Sequence, residues 1–461
     1  MSSAMAVPAP GAAVPARRHS RRPVLHPRVA DIAAVAVGLG LGASAALPLS
    51  NTSLSALKAP GAWAILAGDV TAMTGTYLLL VMVLLAARIA PLEKVLGQDK
   101  LVRWHRRLSS APLLLLTAHA VLTTLGYAES AHVGLMGEAG SLITTMRWVL
   151  AAVVAYAMFV LIAGASIRAV RRRFNYDTWW VIHLYTYLAL AFSVPHQIFE
   201  GTDFVGHPWA KVAWALLWLA TAGVVIVYRL GLPAWRSLRH QLRVAWVKPE
   251  GHGVYAVVLE GRRLERLRVA GGQYFAWRFM TRGLWWHAHP FSISAVPAPP
   301  YLRVTLKVQG DATAAIVGLR PGTRVAVEGP YGAFTSQART RRKVALVAAG
   351  LGVTPVRALL EDLPTGVDPV VLHRATSEAH LVHQDELKAL VATHHGRWVP
   401  LVGPRDRHPL HDPRYLHRLI PDIATRDLYI CGPDDFSEGV AQAAQALGTA
   451  PEAVHRESFE F

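Results

Sequence analysis

Six apolar stretches crowd the first half of the chain, at about 29 to 50, 62 to 89, 105 to 126, 147 to 168, 178 to 199 and 208 to 230. Each is long enough to cross a bilayer whose apolar core is about 30 Å thick. Lipid offers a backbone no hydrogen-bond partners, so segments of this kind must be helices. After Leu230 no such run recurs. The rest alternates short β-rich runs with Gly/Pro turns and then strand–helix patterns, as a soluble pair of domains does. The expected plan is a multi-domain membrane protein. It has a disordered basic N-terminus over 1–28, a six-helix transmembrane bundle over 29–236, an antiparallel β-barrel domain over 241–338 and an α/β Rossmann-like domain over 341–461.

Charge orients the bundle. The chain of 461 residues carries a formal net charge of +17, which in a nucleic-acid binder would form a basic stripe on a soluble face. Here the cations follow the spans instead, and no nucleic-acid partner is expected. Arg17, Arg18, Arg21, Arg22 and Arg28 precede the first span, and Arg88, Lys94, Lys100, Arg103, Arg106 and Arg107 follow the second. Arg168, Arg171, Arg172 and Arg173 follow the fourth, and Arg229, Arg236, Arg239 and Arg243 the sixth. The opposite loops hold Glu129, Glu138, Glu200 and Asp203. The positive-inside rule then puts both termini in the cytoplasm of a multi-pass protein of a bacterial-type plasma membrane. The Arg-rich start resembles a signal peptide, but its apolar run is long and further spans follow at once, so a retained helix is expected. Many tryptophans, among them Trp63, Trp148, Trp209 and Trp235, fall near span ends, where an interfacial belt explains them.

Two of the spans carry paired histidines. His105 and His119 are fourteen residues apart and His183 and His196 thirteen, so each pair spans roughly 20 Å of helix. One imidazole of each pair falls toward each membrane face. A polar group at that depth is costly without a function, and imidazole is a standard axial ligand of haem iron. Two such helices side by side offer two stacked bis-imidazole metal sites, for two haems: His105 with His183 on the inner side, His119 with His196 on the outer side. Fourteen residues return close to the same helical face and thirteen do not, so the second helix is expected to be distorted, with Pro195 as the cause. No Cys-x-x-Cys-His attachment motif occurs, so the haems would be b-type. The single cysteine, Cys431, excludes an internal disulfide and any Cys₄ iron–sulfur cluster.

In the soluble half, strands are expected at Val254 to Leu259, Gln273 to Phe279, Phe291 to Ala295, Leu302 to Val308 and Arg324 to Val327. Among them stands His289-Pro290-Phe291-Ser292, an aromatic followed by a hydroxyl, suited to the face and the polar edge of a flavin ring. Gly310-Asp311-Ala312-Thr313 opens a short helical stretch whose amides suit a pyrophosphate. After Gly329-Pro330-Tyr331-Gly332, the apolar strand Val344 to Ala349 runs into Gly350-Leu351-Gly352-Val353-Thr354-Pro355 and an apolar helix. Strand, glycine turn and helix are the setting in which backbone approaches a dinucleotide phosphate.

In this order the residues resemble the ferredoxin-reductase-like flavin and nicotinamide module, over about 241 to 461. The resemblance implies that Phe291 and Ser292 contact the isoalloxazine of FAD, with His289, Pro290, Gly310 and Thr313 along its ribityl and pyrophosphate. It implies that Gly350, Gly352, Thr354 and Pro355 receive the nucleotide phosphates, and that Cys431-Gly432-Pro433 lies beside the nicotinamide. At the end of the chain, Glu457-Ser458-Phe459-Glu460-Phe461 is similar to the family's terminal acidic-x-aromatic; Phe459 or Phe461 would cover the flavin, Phe459 being favoured by its spacing from Glu457. Arg374 and Ser377 stand where the family reads the adenosine ribose. A cation and a hydroxyl there suit a 2′-phosphate, hence NADPH over NADH.

Joined to histidine-bearing spans, this module resembles the ferric reductase and NADPH oxidase superfamily. The resemblance implies electron flow from cytoplasmic NADPH through FAD and the two haems to an acceptor outside, with the redox chemistry belonging to the cofactors. No EF-hand loop is visible and no arginine lies deep in the second span. Dioxygen, giving superoxide, is the expected acceptor; ferric chelate is the alternative, as is a haem subunit reducing a periplasmic partner, although no protein partner is required. A membrane protein with incidental histidines is the remaining reading.

Overall fold

The structure is a computed structural model that describes residues 28–174 and 176–457. The basic N-terminus and the candidate flavin-covering rings Phe459 and Phe461 lie outside the described residues. The chain divides into two compact units, a helical one over 27–89 and 99–227 and a second one holding 90–98 and everything from Tyr228 onward.

The helical unit runs α1 (Arg28–Asn51), α2 (Ala62–Ala86), α3 (Gln98–Leu108), α4 (Ser110–Ala131), α5 (Leu135–Thr145), α6 (Val149–Ser166), α7 (Tyr176–Glu200) and α8 (Pro208–Ile226). Leu79, Val83, Ala155, Phe159, Ala189 and Leu190 pack α2, α6 and α7 into one core. Ile32, Leu39, Leu114, Val121, Leu161 and Leu219 are exposed on the outer surface, which water would penalise and lipid does not. Five helices among the described residues are long and apolar enough to cross a membrane: α1, α2, the α3–α4 pair, α6, and α8 with its continuation. The expected count was six. The one that falls short, α7, is 25 residues long, but its two histidines, two tryptophans and three tyrosines lower its mean hydropathy.

Glycine brings α2 and α4 together. Gly68 and Gly75 lie seven residues apart and so share one face of α2, and Gly61 precedes its first turn. A β-carbon on Gly61 would fall 1.9 Å from the Gly126 carbonyl oxygen, one on Gly68 2.4 Å from Thr123 Oγ1, and one on Gly75 3.0 Å from Leu115 Cβ. Small residues of this kind let two helices approach backbone to backbone where lipid provides no hydrophobic drive. The interruption in the histidine helices lies at Ser109, between α3 and α4, whereas α7 is helical throughout, Pro195 included.

In the second unit, β1 (Arg243–Gly251), β2 (Val254–Glu260), β3 (Tyr274–Phe279), β4 (His289–Ser292), β5 (Tyr301–Lys307) and β6 (Val325–Tyr331) form two three-stranded antiparallel sheets, β1-β2-β5 and β4-β3-β6. They enclose a core built on Leu259, Phe275, Trp277, Phe279, Ile293 and Leu302. The expected closed barrel does not form. Only single bridges, Arg243 to Arg324 and Ile293 to Val304, link the sheets, because β4 is four residues long and a Pro-rich turn follows it. A short helix, α9 (Asp311–Val317), leads to β6.

The chain then builds a five-stranded parallel sheet from β7 (Lys343–Ala349), β8 (Asp368–Ala375), β9 (Arg397–Val402), β10 (Asp427–Cys431) and β11 (Val454–Glu457), in the order β11-β10-β7-β8-β9. Helices α10 (Val353–Glu361) and α11 (Gln384–Thr393), the short helix Pro413–Leu419 and α12 (Asp434–Ala446) make the four crossovers. Strand β10 is buried along its whole length, as a parallel strand covered on both faces must be.

Candidate functional site

The four histidines of the helical unit meet in two pairs, as expected. The rings of His105 and His183 lie 6.2 Å apart, centre to centre, and those of His119 and His196 lie 6.3 Å apart. A metal ion between two imidazoles needs about 2 Å for each bond and about 1 Å more from nitrogen to ring centre, hence about 6 Å in total. Both pairs have that separation.

Hydrogen bonding decides which nitrogen of each ring is free. His105 Nδ1 bonds the Met82 carbonyl at 2.9 Å, and His119 Nδ1 bonds the Gly68 carbonyl at 3.0 Å and Thr123 Oγ1 at 3.1 Å. With Nδ1–H donated to a carbonyl, Nε2 presents its lone pair inward. This is the support a metal-bound histidine ordinarily receives, and it fixes both tautomer and ring orientation. The Gly68 carbonyl reaches His119 only because α2 and α4 touch at that glycine. On α7 the Nδ1 atoms of His183 and His196 are buried without a partner.

His119 and His196 line a cavity of about 370 Å³ within the helical unit. Small and apolar residues, including Ala72, Ala120, Ala152, Ala155 and Phe159, make most of its wall. Asp69, Glu200 and Asp203 add carboxylates, with Thr202 donating to Asp69 at 3.3 Å, and neither lysine nor arginine lines it. Sequence reasoning passed over Asp69, although a carboxylate inside an apolar span is itself a signal.

In the second unit, β4 pairs with β3 so that Ser292 faces Tyr274, Phe291 faces Phe275 and His289 faces Trp277. Phe291 is partly exposed and its ring is parallel to that of His289 at 6.2 Å. Ser292 Oγ is buried and has no partner, so it is available to a bound ligand. A β-carbon on Gly332 would lie 3.3 Å from the Tyr274 ring and 3.4 Å from Glu457 Oε1, which places the Gly-Pro-Tyr-Gly turn and the last described residue beside this strand pair. Around α9, Thr313 Oγ1 accepts from the amides of Gln309 and Gly310 at 2.9 and 3.2 Å, so that hydroxyl closes its own turn.

The parallel sheet aligns the rest. Cys431 pairs with Ala348 on one side and Glu457 on the other, so the glycine turn after β7 and Gly432-Pro433 after β10 leave the same edge. That is the carboxyl edge, where open α/β sheets bind ligands. Gly350 has a positive φ of +56, and a β-carbon on Gly352 would fall 2.1 Å from the Cys431 carbonyl oxygen, which ties the two turns together. Thr354 Oγ1 caps the turn through Leu351, and Pro355 follows in the first turn of α10. Cys431 is fully buried, and burial followed by the nearby Glu457 charge pushes its thiol pKa well up. Arg374, at the end of β8, is 9% exposed, not a solvated surface side chain; burial first, and then Arg405, lower its pKa. Ser377 Oγ bonds His380 Nδ1 at 2.7 Å. Arg405, thirty-one residues along the chain from Arg374, gave no signal in sequence.

Comparison with known proteins agrees with this layout. Residues 71–194 match the ferric reductase like transmembrane component, 253–335 an FAD-binding domain and 346–442 an oxidoreductase NAD-binding domain. Together the three matches give a ferric reductase like transmembrane component followed by an FAD-binding domain and an oxidoreductase NAD-binding domain. The chain has the ferric reductase-like/NADPH oxidase architecture. It is 27% identical over 187 residues to the glycine betaine monooxygenase reductase subunit of Pseudomonas aeruginosa, covering 37% of this chain and 50% of that protein. To an NADPH oxidoreductase of Mycobacterium tuberculosis it is 29% identical over 199 residues, covering 41% and 51%. The chain thus spans about half the length of these curated relatives. The flavohem-like FAD/NAD binding domain of nitric oxide dioxygenase from Vibrio cholerae matches at 22% identity and a TM-score of 0.39, covering 48% of this chain and 98% of that one.

Proposed function

We propose that this protein carries electrons across a bacterial plasma membrane, from cytoplasmic NADPH to an acceptor on the outer side. The observation that carries the reading is the pair of 6.2 and 6.3 Å imidazole spacings, with His105, His119 and His183 inside the ferric reductase-like match over 71–194 and His196 just past its end. His105 with His183, and His119 with His196, would each hold a b-type haem. FAD, where bound, would supply the change from two-electron hydride chemistry to one-electron transfer, and haems held by the two histidine pairs would supply one-electron carriers.

The protein's own part is to bind and orient. Gly350, Gly352, Thr354 and Pro355 shape the turn that receives the nucleotide, and Cys431, Gly432 and Pro433 form the wall beside it. His289, Pro290, Phe291 and Ser292, with Gly310 and Thr313, are assigned to the flavin, and Phe459 or Phe461 to its cover. The positive-inside charge pattern orders the steps, with the His105 pair toward the cytoplasm and both termini there.

Arg374 and Arg405 together make a cationic end to β8 that suits a 2′-phosphate. An Arg374→Ala variant is expected to lower kcat/KM for NADPH by roughly tenfold or more while leaving NADH nearly unchanged, the effect of losing one charge-assisted contact. Equal losses with both nucleotides would remove Arg374 from this role.

Dioxygen is neutral and would need no open iron position, since both imidazoles of a pair would be taken up in holding a haem. The acidic lining from Asp69, Glu200 and Asp203 favours a second reading, a ferric cation or cationic chelate. Proteoliposomes loaded with NADPH on the cytoplasmic face separate the two. Superoxide dismutase-sensitive cytochrome c reduction is the expected result; fast anaerobic ferric reduction with negligible oxygen uptake would reverse the order.

A further inference from the structure

Two histidines are buried in the reductase module with nothing to bond. His373, inside β8, and His383, immediately before α11, each have a side chain shut off from solvent, and none of their four ring nitrogens has a hydrogen-bond partner. Buried polar atoms are nearly always paired, so four orphaned nitrogens point to a missing ligand.

Carboxylates stand beside them. His383 Nδ1 is 3.6 Å from Glu386 Oε1, too long for a hydrogen bond but close to the separation of two ligands on one tetrahedral ion, about 3.4 Å. One donor atom each from Glu250, His383 and Glu386 lie within 4.8 Å of one another. Glu250 comes from the end of β1, whose turn packs onto the loop before α11; a β-carbon on Gly251 would touch Val382 at 3.2 Å, and the His252 ring is 5.9 Å from His380.

Two guanidiniums share this neighbourhood, and they bear on the argument. Arg303 grips both oxygens of Glu386 at 2.8 and 2.7 Å, and Arg357 Nε lies 2.7 Å from Oε2. They repel a cation, but Glu250, Glu361 and Glu386 outnumber them, so with neutral histidines the cluster is net anionic. Their grip also fixes the Glu386 carboxylate, as outer partners of a metal-binding carboxylate do.

We propose that Glu250, His383 and Glu386 bind one divalent transition-metal ion of the zinc class. Mixed imidazole and carboxylate donors suit zinc, whereas calcium and magnesium take oxygen alone. Glu250 belongs to the antiparallel region and the other donors to the parallel-sheet region, so the ion staples the two halves of the reductase module.

The test uses the tag-free full chain, purified in detergent with FAD, stripped with chelator, incubated with zinc sulfate and exchanged into metal-free buffer. Elemental analysis should find about one retained zinc per chain, and zinc should raise the melting temperature followed by flavin fluorescence. Glu250→Gln and His383→Gln should each weaken zinc retention by roughly ten- to hundredfold or more and abolish the thermal shift. Glu250 is partly exposed, so its variant should keep FAD and its reduction by NADPH; should His383→Gln fail to fold, Glu250→Gln decides alone. Absence of retained zinc in the wild type, or retention unaffected by Glu250→Gln, overturns the assignment.

Discussion

Replacing His119 or His196 by alanine is expected to leave about one haem per chain where the unaltered protein holds about two, because each haem depends on two axial imidazoles. The pyridine haemochrome assay, normalised to protein, gives the count directly. The 6.3 Å pair lines the 370 Å³ cavity and is the outer pair in the proposed orientation, so these variants should lose electron delivery to any external acceptor while NADPH still reduces the flavin. The two need not lose haem equally well on rescue. His119 is held by the Gly68 carbonyl and Thr123, whereas His196 Nδ1 has no partner, so added imidazole should restore haem more readily in His196→Ala, where the surviving ring is already oriented. A count of one haem in well-loaded wild-type protein would end the two-haem reading. Full retention in His119→Ala would remove that residue from ligation.

Much of this organisation is visible in sequence because it is local. Apolar runs report helices directly, and α2, α6 and α8 fall within a few residues of their expected bounds. The strand–glycine–helix unit at β7 and α10 is equally local, and its expected position agrees with the fold. Strand β1 was not among the expected strands: Lys248, Pro249 and Glu250 carry little strand propensity, yet an edge strand paired only with β2 tolerates them. Closure of the antiparallel region was over-read, since strand spacing is the same for a barrel and for two sheets joined by single bridges. The α7 shortfall has the opposite cause, because the aromatic and imidazole residues that give the helix its chemistry are those that lower its apolarity. What stayed hidden depends on residues distant in sequence. The carbonyls of Gly68 and Met82 that orient two histidines come from another helix, and the Arg303–Glu386 pair joins residues eighty-three apart.

That last pair should matter most to the stability of the reductase module. Glu386 accepts two hydrogen bonds from Arg303 and lies in an ion pair with Arg357, which is also bonded to Glu361; Glu361 in turn accepts from the Val296 amide at 2.7 Å. Ser294, Val296 and Arg303 belong to the antiparallel region and Arg357, Glu361 and Glu386 to the parallel-sheet region, so the network crosses between them. Burial alone would raise the Glu386 carboxyl pKa, but the hydrogen bonds from Arg303, the nearby His383 ring and the charges of Arg357 and Arg303 pull it far below the usual carboxylate range. Glu386→Gln removes the charge and strands two guanidiniums. For a fully buried pair that costs about 3–5 kcal/mol; with the carboxylate one-fifth exposed, about 2 kcal/mol is expected. In chelator-treated protein at pH 7 the flavin-fluorescence melting temperature should therefore fall by roughly 4–8 °C. The sign of the pH dependence follows from the depressed folded-state pKa. The contribution is whole above the unfolded value of about 4.3 and drains as pH falls below it, because the unfolded chain then takes up a proton that the folded chain does not. The gap between wild type and Glu386→Gln should accordingly be constant from pH 7 to about pH 5 and narrow below about pH 4. A gap under about 1 °C at pH 7 would mean that solvent screens the network and that apolar packing alone joins the two regions.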